Sequence, residues 1–255
     1  MELKLEKINA HERDKRIIFD EEPHIYYIDG SSDNISTTTF IHTLFQPFNA
    51  DEIIKKMMNS KKWTESRYFG MTPEEIKKQW DDNGKIASEA GTIMHRDIEY
   101  YYNDIKVEND SIEYSYFLKF KEDYSYLKPF RTEWVIFDED LKLSGSVDMV
   151  FYNTKKNTYE IYDWKRSKEI KKFNSFSNGN DPVDHLPDCN YWHYSLQLNI
   201  YRKILETKYN LPISKLCLVV CHPNQKSYQR LVAPIMEIEV NDIFNKRLND
   251  INGHK

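Results

Sequence analysis

The sequence predicts an α/β fold, with a mixed central β-sheet flanked by helices and an N-terminal, mostly helical module. Residues 132–164 contain three segments with the alternation of polar and apolar side chains that is typical of strands. A strongly helical segment at 191–209 then precedes two further strand-like segments. Because strands and helices alternate in this way, we expect one α/β core. We assign residues 1–83 to the N-terminal module, packed on the core, and residues 84–255 to the core itself.

The elements before the sheet are mainly helices, and their ends carry recognisable signals. Asp29-Gly30 is a turn signal that follows two short strands. Thr72 can cap a helix that begins at Pro73, because proline favours the first helical position, and Asn83-Gly84 can interrupt this helix. The predicted order is strand 16–20, strand 24–28, helix 36–45, helix 51–58, helix 72–102 and helix 111–127.

The second half supplies the sheet and a helix that covers it. Residues 153–157, Asn-Thr-Lys-Lys-Asn, form a turn between two strands, and residues 168–189 are expected to be a loop. The predicted order is strand 132–137, strand 143–152, strand 158–164, helix 191–209, strand 215–221, strand 228–234 and helix 240–249.

Composition restricts the class of protein. Of the 255 residues, 40% are hydrophobic and 14% are aromatic, which is enough for a sizeable core. No apolar run approaches the roughly 20 residues that span a bilayer, and the N-terminus lacks the apolar core of a signal peptide. Three cysteines without a CxxC pair argue against a disulfide framework, a zinc ribbon and an iron–sulfur cluster. We expect a soluble protein of a reducing intracellular compartment, the cytoplasm or the nucleus, with no membrane partner.

The charge pattern argues against a protein that binds nucleic acid through its overall charge, because the net charge is −5. Local basic segments can nevertheless bind phosphate in such a chain. The densest basic segment is residues 165–172, Lys-Arg-Ser-Lys-Glu-Ile-Lys-Lys. A solvated surface and a phosphate contact, with Arg166 as the candidate, explain this segment about equally well.

The candidate chemistry lies on two of the predicted strands. Asp148 and Asp163 lie fifteen residues apart, each within a predicted strand. If the two strands are neighbours, the two carboxylates come together, and the two-residue period of a strand places Lys165 on the same face as Asp163. Two carboxylates and a lysine at one sheet edge suit metal-dependent phosphodiester hydrolysis. A purely structural Asp163–Lys165 salt bridge explains the same spacing about equally well, because acidic-x-Lys triplets also occur elsewhere in this charged chain.

The chemistry of these residues indicates which metal they would hold. Hard oxygen ligands select Mg²⁺ or Mn²⁺. A divalent ion held by Asp148 and Asp163 can bind a scissile phosphate and lower the pKa of a bound water. Lys165 can hold the attacking water or offset the developing negative charge. The main-chain carbonyl of Trp164 is a further candidate ligand, since it requires no particular side chain.

Two helices supply further candidates. Gly91, His95 and Glu99 recur every four residues and share one helix face. A neutral His95 can complete the metal shell, Glu99 can orient it or bind water, and Gly91 allows another backbone to approach closely. Gln197 and Tyr201 are also four residues apart, and they can contact phosphate or bases. The alternatives are that His95 is structural and that Glu99 is a surface carboxylate. Gln197 and Tyr201 would then be a boundary pair that covers the sheet.

Taken together and in order, these motifs resemble those of the PD-(D/E)XK nuclease superfamily, and most closely its RecB-like exonuclease branch. The match covers roughly residues 84 to 205. The resemblance rests on Gly91-xxx-His95-xxx-Glu99, Gly145-x-Val147-Asp148, Asp163-x-Lys165 and Gln197-xxx-Tyr201. It implies a restriction-endonuclease-like core that cuts DNA with Mg²⁺ or Mn²⁺. It also implies that His95, Asp148 and Asp163 are ligands, that Lys165 is catalytic, and that Gln197 and Tyr201 contact the DNA end.

The resulting functional prediction is a metal-dependent deoxyribonuclease, an exonuclease on single-stranded DNA or DNA ends. No Gly-x-x-x-x-Gly-Lys-Ser/Thr motif is present, so any unwinding would come from a helicase or another replication, recombination or repair partner. The alternatives are a flap or branch endonuclease and a non-catalytic nucleic-acid-binding subunit on the same fold. Frequent Lys, Ile, Asn and Tyr are typical of an AT-rich genome, such as a viral one.

Overall fold

The computed structural model describes residues 3–253, and within this range the chain forms seven α-helices and eight strands. The helices are α1 (Lys4–Ile8), α2 (Thr37–Thr43), α3 (Ala50–Met58), α4 (Pro73–Tyr102), α5 (Ile112–Asp123), α6 (Asn190–Lys208) and α7 (Glu237–Gly253). The strands are β1 (Ile17–Asp20), β2 (Ile25–Ile28), β3 (Ile35–Ser36), β4 (Leu127–Asp138), β5 (Leu143–Asn153), β6 (Thr158–Lys165), β7 (Ile213–Val220) and β8 (Gln229–Val232).

The described chain forms two compact units. The larger unit comprises the residues up to Gln46 and those from Met94 onwards, and it contains the whole sheet. The smaller unit is Pro47–Ile93, which packs Ile54 and Ile76 into a small core of its own. The predicted division at residue 83 stays a prediction.

A six-stranded mixed sheet forms the centre of the larger unit, and helices flank it, which confirms the predicted fold class. The strand order is β3-β5-β6-β7-β8, and β4 pairs with β5. Strand β3 is parallel to β5, and β6 is parallel to β7, whereas the pairs β4–β5, β5–β6 and β7–β8 are antiparallel. A separate hairpin is made by β1 and β2.

Strand β5 lies inside the sheet, but one of its edges is open over a short stretch. Strand β4 follows one edge along the whole of β5. On the other edge, β3 pairs with Leu143 and Ser144, and β6 pairs only from Met149 onwards. Residues 145–148 between them therefore have no strand partner on that edge among the described residues. The motif Gly145-Ser146-Val147-Asp148 occupies this opening.

The two faces of the sheet carry separate cores, because successive side chains of a strand point to opposite faces. On one face, Val150 and Ile161 belong to a core that includes apolar residues of α2, α6 and α7. On the other face, Phe151 and Tyr162 pack with apolar residues of α4 and α5. The sheet is thus covered on both sides, which requires the nearly continuous apolar runs seen in β5 to β7.

Two predicted helix starts are confirmed by their hydrogen bonds. The Ser36 hydroxyl accepts from the N–H of Thr39 over 3.1 Å, so Ser36 caps α2. The Thr72 N–H donates to Glu75 over 2.7 Å, and the Glu75 N–H donates to the Thr72 hydroxyl over 3.2 Å. This reciprocal pair is a capping box, and it starts α4 where the sequence predicted.

Other element boundaries differ from the predictions. Helix α4 continues through Asn83-Gly84, because a single glycine lowers helix stability by only about 1 kcal/mol. Helix α5 ends at Asp123, and Leu127 already begins β4, five residues before the predicted strand. Helix α1 and strand β3 were not predicted, since segments of five and two residues are too short for a periodic pattern. Within residues 3–253, none of the helices combines the length and apolar character that crossing a bilayer demands.

Candidate active site

The candidate site lies where β5 and β6 separate. Their antiparallel pairing begins at Met149 and Tyr162, and extending the register by one pair sets Asp148 opposite Asp163. Because β6 is no longer bonded to the β5 backbone there, the Trp164 N–H is available to a side chain. It donates to Oδ2 of Asp148 over 2.8 Å. The predicted meeting of the two aspartates on neighbouring strands is therefore present in the fold.

Lys165 extends from the same face of β6 as Asp163. Its Nζ lies 2.9 Å from Oδ1 and 2.8 Å from Oδ2 of Asp163. The ammonium group also lies 4.7 Å from the centre of the Tyr194 ring, on the first turns of α6. The Asp163 side chain is only 2% exposed, so Lys165 provides the positive charge that this buried carboxylate requires.

His95 is brought to these strands by α4. Its Nε2 lies 2.8 Å from the main-chain carbonyl oxygen of Trp164. Its Nδ1 faces two carboxylates, at 3.3 Å from Glu133 Oε1 and 3.6 Å from Asp148 Oδ2. In the protonated imidazolium, Nε2 donates to Trp164 and Nδ1 faces the two carboxylates as a donor; once Nδ1 loses its proton, its lone pair is directed at the same two carboxylates. His95 thus reaches both strands from a helix, and its role as a metal ligand stays a prediction.

Glu133 is the site residue that the sequence analysis missed. It lies on β4 between the paired residues Thr132 and Trp134, with a φ of +39°. Its Oε2 accepts from the Ser146 hydroxyl over 3.1 Å, which holds the carboxylate beside β5. An acidic residue next to the apolar run that begins at Trp134 was the available signal. The alternation of polar and apolar residues along β4 could not by itself show that β4 lies beside β5.

The electrostatics of the site follow from burial and crowding. Burial raises the pKa of Asp148 and of Asp163, and each carboxylate has another nearby that raises it further. Burial lowers the pKa of Lys165, but attraction to Asp163 and Asp148 outweighs it, so this pKa is raised and the amine stays protonated. Burial also lowers the pKa of His95, but Asp148 and Glu133 outweigh it and raise the pKa to about 9.

The donor set fits a divalent metal ion. Ligand atoms of His95, Glu133 and Asp148 all lie within 4.8 Å of one another. Oδ2 of Asp163 is buried and has no hydrogen-bond donor among the described residues, although Lys165 Nζ is near it. One imidazole and crowded carboxylates are the ligands that Mg²⁺ and Mn²⁺ accept, and a cation would relieve their mutual repulsion. The geometry adds Glu133 as a candidate ligand; metal binding by His95, Asp148, Asp163 and the Trp164 carbonyl stays a prediction.

Gln197 and Tyr201 lie on α6, on the same side of the sheet as Lys165. The Gln197 amide donates to the Tyr201 hydroxyl over 3.1 Å. Tyr201 is only 3% exposed, and its ring covers Gly145, where an added Cβ would lie 2.7 Å from ring atom Cε1. Gly145 is therefore needed for the close approach of a buried ring. DNA contact by Gln197 and Tyr201 stays a prediction.

Three further predicted residues have different surroundings from those expected. An added Cβ on Gly91 meets no atom within 4 Å among the described residues, so the predicted close backbone approach at Gly91 is wrong. The Nδ1 of His95 faces Glu133 instead of Glu99. Burial and the charge of Glu133 raise the pKa of Glu99 to about 7. The Arg166 Nε donates to Glu113 over 2.6 Å. Substrate contacts of Glu99 and Arg166 stay predictions.

Comparisons with known proteins show only distant similarity. No model of a protein family matches the sequence, and no curated protein matches it. The crystal structure of SSO0001 aligns with a TM-score of 0.35 and 15% identity, covering 96% of this chain and 81% of that chain. A structure from Eubacterium rectale, named "putative exonuclease", aligns with a TM-score of 0.39 and 11% identity, covering 87% of this chain and 79% of that chain. Both scores are too low to assign a function by likeness.

Proposed function

We propose that this protein is a metal-dependent nuclease that hydrolyses phosphodiester bonds of DNA, as an exonuclease on single strands or on DNA ends. The observation that carries the proposal is the convergence of His95, Glu133 and Asp148 beside the Asp163–Lys165 pair. These residues come from one helix and three strands, and they meet at the opening in the sheet. A surface salt bridge needs no such convergence, and it would not hold three carboxylates close together.

Each residue then has a definite role. His95, Glu133 and Asp148 would hold a divalent cation, with Asp163 at the same site. Such a cation, when bound, supplies positive charge for a phosphate oxygen and lowers the pKa of a bound water. The tautomer of His95 with its proton on Nε2 is held by the Trp164 carbonyl, and the N–H of Trp164 orients Asp148. Trp164 thereby orients two candidate ligands through its main chain alone.

Lys165 acts by charge in this proposal and not as a general base. Its raised pKa keeps the amine protonated at neutral pH. Asp163 and the face of the Tyr194 ring hold the ammonium group in place. A protonated amine held beside the scissile phosphate stabilises the negative charge that develops in the transition state. A water or hydroxide bound at the site would be the nucleophile.

The substrate would approach from the side of α6. Gln197 is partly exposed and can donate to a phosphate oxygen, while the buried Tyr201 hydroxyl accepts from its amide and holds it in place. In this arrangement Tyr201 is a positioning residue for Gln197. Gly145 is required because any larger residue would displace the Tyr201 ring.

The test is a gel assay with 5′-labelled linear single-stranded, linear duplex and circular single-stranded DNA, each with Mg²⁺, Mn²⁺ or EDTA. We expect metal-dependent loss of the linear substrates, abolished by Asp163→Asn. The matched control is Asp184→Asn, because the Asp184 side chain is 77% exposed. Cleavage of the circle would favour a flap or branch endonuclease over an exonuclease. Absence of cleavage on all three substrates with both metals would overturn the proposal and favour a non-catalytic binding subunit.

A further inference from the structure

The loop that follows the candidate catalytic lysine exposes two large apolar rings. Phe173 is 74% exposed and Phe176 is 96% exposed. Among the described residues, neither ring has an aromatic or cation–π partner in the fold. Single exposed apolar residues are common on protein surfaces. Two highly exposed phenylalanines within four residues, on the loop that follows the candidate catalytic lysine, are a stronger feature.

Side-chain hydrogen bonds connect the backbone around these rings to the start of α6 and to Asp188. The Lys171 N–H donates to the Asn190 side chain over 2.9 Å, and the Trp192 indole donates to the Lys172 carbonyl over 3.2 Å. The Asn174 amide donates to the Asp188 carbonyl over 2.7 Å, and its oxygen accepts from the Phe176 N–H over 2.9 Å. Phe173 and Phe176 thus lie on a hydrogen-bonded stretch of backbone.

Within the described structure, the loop carries three lysines without carboxylate partners and one acidic residue, Glu169, and the nearby Asp188 carboxylate is bound by Ser177 and His193. Lys168, Lys171 and Lys172 form no ion pair among the described residues, and Lys172 Nζ lies 4.7 Å from the centre of the Tyr191 ring. Lys165 and Arg166, by contrast, are paired with carboxylates. A chain of net charge −5 therefore keeps three unpaired ammonium groups on this one loop.

The loop and the candidate site share one support, the first turns of α6. Tyr191 and Trp192 contact the loop at Lys172. Tyr194, two residues further on, contacts Lys165. The start of α6 therefore connects the loop with Lys165. Unpaired cations attract phosphates, and rings held in solvent offer faces on which bases can stack.

We propose that residues 168–176 form a binding site for single-stranded nucleic acid, in which Phe173 and Phe176 stack on bases and Lys168, Lys171 and Lys172 contact the backbone phosphates. This inference rests on the proposed function for its choice of ligand. It extends that function by assigning base recognition to a loop outside the metal site. Stacking needs only a π-face, so the site accepts any base sequence.

The test measures binding in EDTA, which removes the metal that cleavage would need. Gels verify that the probes stay intact. The probes are a labelled oligothymidylate and an abasic sugar–phosphate strand of equal length. We expect Phe173→Ala/Phe176→Ala to weaken oligothymidylate binding by about tenfold or more and to leave abasic binding nearly unchanged. Phe173→Trp/Phe176→Trp should restore binding. The matched control is Ile238→Ala, because Ile238 is 75% exposed on α7, outside this loop.

Lysine substitutions supply the second arm. Lys171→Gln/Lys172→Gln should weaken binding of both probes alike and reduce the dependence of affinity on salt, because phosphate contacts release counterions. The proposal would be overturned if wild type and the phenylalanine variant bound oligothymidylate equally well. It would also be overturned if the phenylalanine variant lost affinity equally for both probes. A third outcome would also overturn the proposal, in favour of a membrane surface as the partner. In that case the wild type sediments with phosphatidylserine vesicles, the phenylalanine variant does not, and the two proteins show no difference that depends on the bases of the probe.

The two proposals fail separately. Metal-dependent cleavage by the wild type, with unchanged binding by the phenylalanine variant, overturns only the role of the loop. Base-dependent binding through Phe173 and Phe176, without cleavage in any metal, overturns only the nuclease and supports the loop as a strand-binding site. The melting temperature of the phenylalanine variant should equal that of the wild type, since neither ring is buried.

Discussion

Glu133 Oε1 lies 3.3 Å from Nδ1 of His95, although 38 residues separate them in the chain. Glu133 is on a strand and His95 is on a helix. The sequence around either residue does not predict contact with the other. The contact places a third carboxylate beside the two predicted aspartates. It also gives His95 an acidic neighbour on the ring nitrogen that faces Asp148.

We expect Glu133→Gln to weaken Mn²⁺ binding about ten- to hundredfold, since it removes one of the three clustered ligand groups and a neighbour that orients His95. Isothermal titration calorimetry of wild type and variant measures the change. Glu108→Gln is the control, because the Glu108 side chain is 78% exposed and outside the cluster. Equal Mn²⁺ affinities of wild type and Glu133→Gln would remove Glu133 from the site.

Lys165→Met should destabilise the metal-free protein by about 3–5 kcal/mol, because it leaves the buried Asp163 carboxylate without its cation. Adding Asp163→Asn to that variant should recover part of the lost free energy of unfolding, since the uncompensated charge is then gone. Urea unfolding at pH 7 in EDTA measures both, with the exposed Lys168→Met as control. A double variant no more stable than Lys165→Met would show that charge pairing is not the cause.

The glycines at positions 91 and 145 should respond oppositely to alanine. Gly145→Ala sets a Cβ 2.7 Å from the buried Tyr201 ring, which should cost about 1–3 kcal/mol through overpacking. Gly91→Ala meets open space within α4, so it should raise the free energy of unfolding by about 0.5–1 kcal/mol through helix propensity. Thermal unfolding of both variants checks the pair. A stabilising Gly145→Ala would contradict the close packing of Tyr201.

The contribution of Glu139 to the free energy of unfolding should decrease at acid pH. Burial raises its pKa, but hydrogen bonds from Arg13 and Arg16 outweigh burial and lower the pKa from 4.5 to about 2. A carboxylate whose pKa is lower in the folded state than in the unfolded state stabilises the fold at pH values above its unfolded pKa. For Glu139 this stabilisation disappears as the pH falls from about 4.5 to about 2. The difference in unfolding free energy between wild type and Glu139→Gln should therefore be full at pH 7 and shrink through this range.

Urea unfolding at a series of pH values measures that difference, and Glu89→Gln, at an exposed position of α4, is the control. A difference that stays constant down to about pH 2 would mean that Arg13 and Arg16 do not favour the ionised carboxylate.

The fold class and the central residues of the candidate site could be predicted from sequence because they rest on short-range periodicity. A strand of period two sets Asp163 and Lys165 on one face whatever surrounds them. Neighbouring strands joined by the turn at 153–157 pair as a hairpin, which brings Asp148 opposite Asp163. A helix of period 3.6 likewise sets Gln197 beside Tyr201. These relationships are local, so residue order is sufficient to determine them.

Other features depend on contacts between distant segments, which only the tertiary structure decided. Glu133 meets His95 because α4 packs Met94 and Ile98 against one face of the sheet, and Arg166 pairs with Glu113 because α5 packs on the same face. Gly91 and Gly145 look alike in sequence, yet only Gly145 faces a ring from another element. The opening at 145–148 exists because β3 and β6 share one edge of β5 without meeting. Which segments become neighbours is determined by packing of the whole chain, and periodicity along one segment carries no information about it.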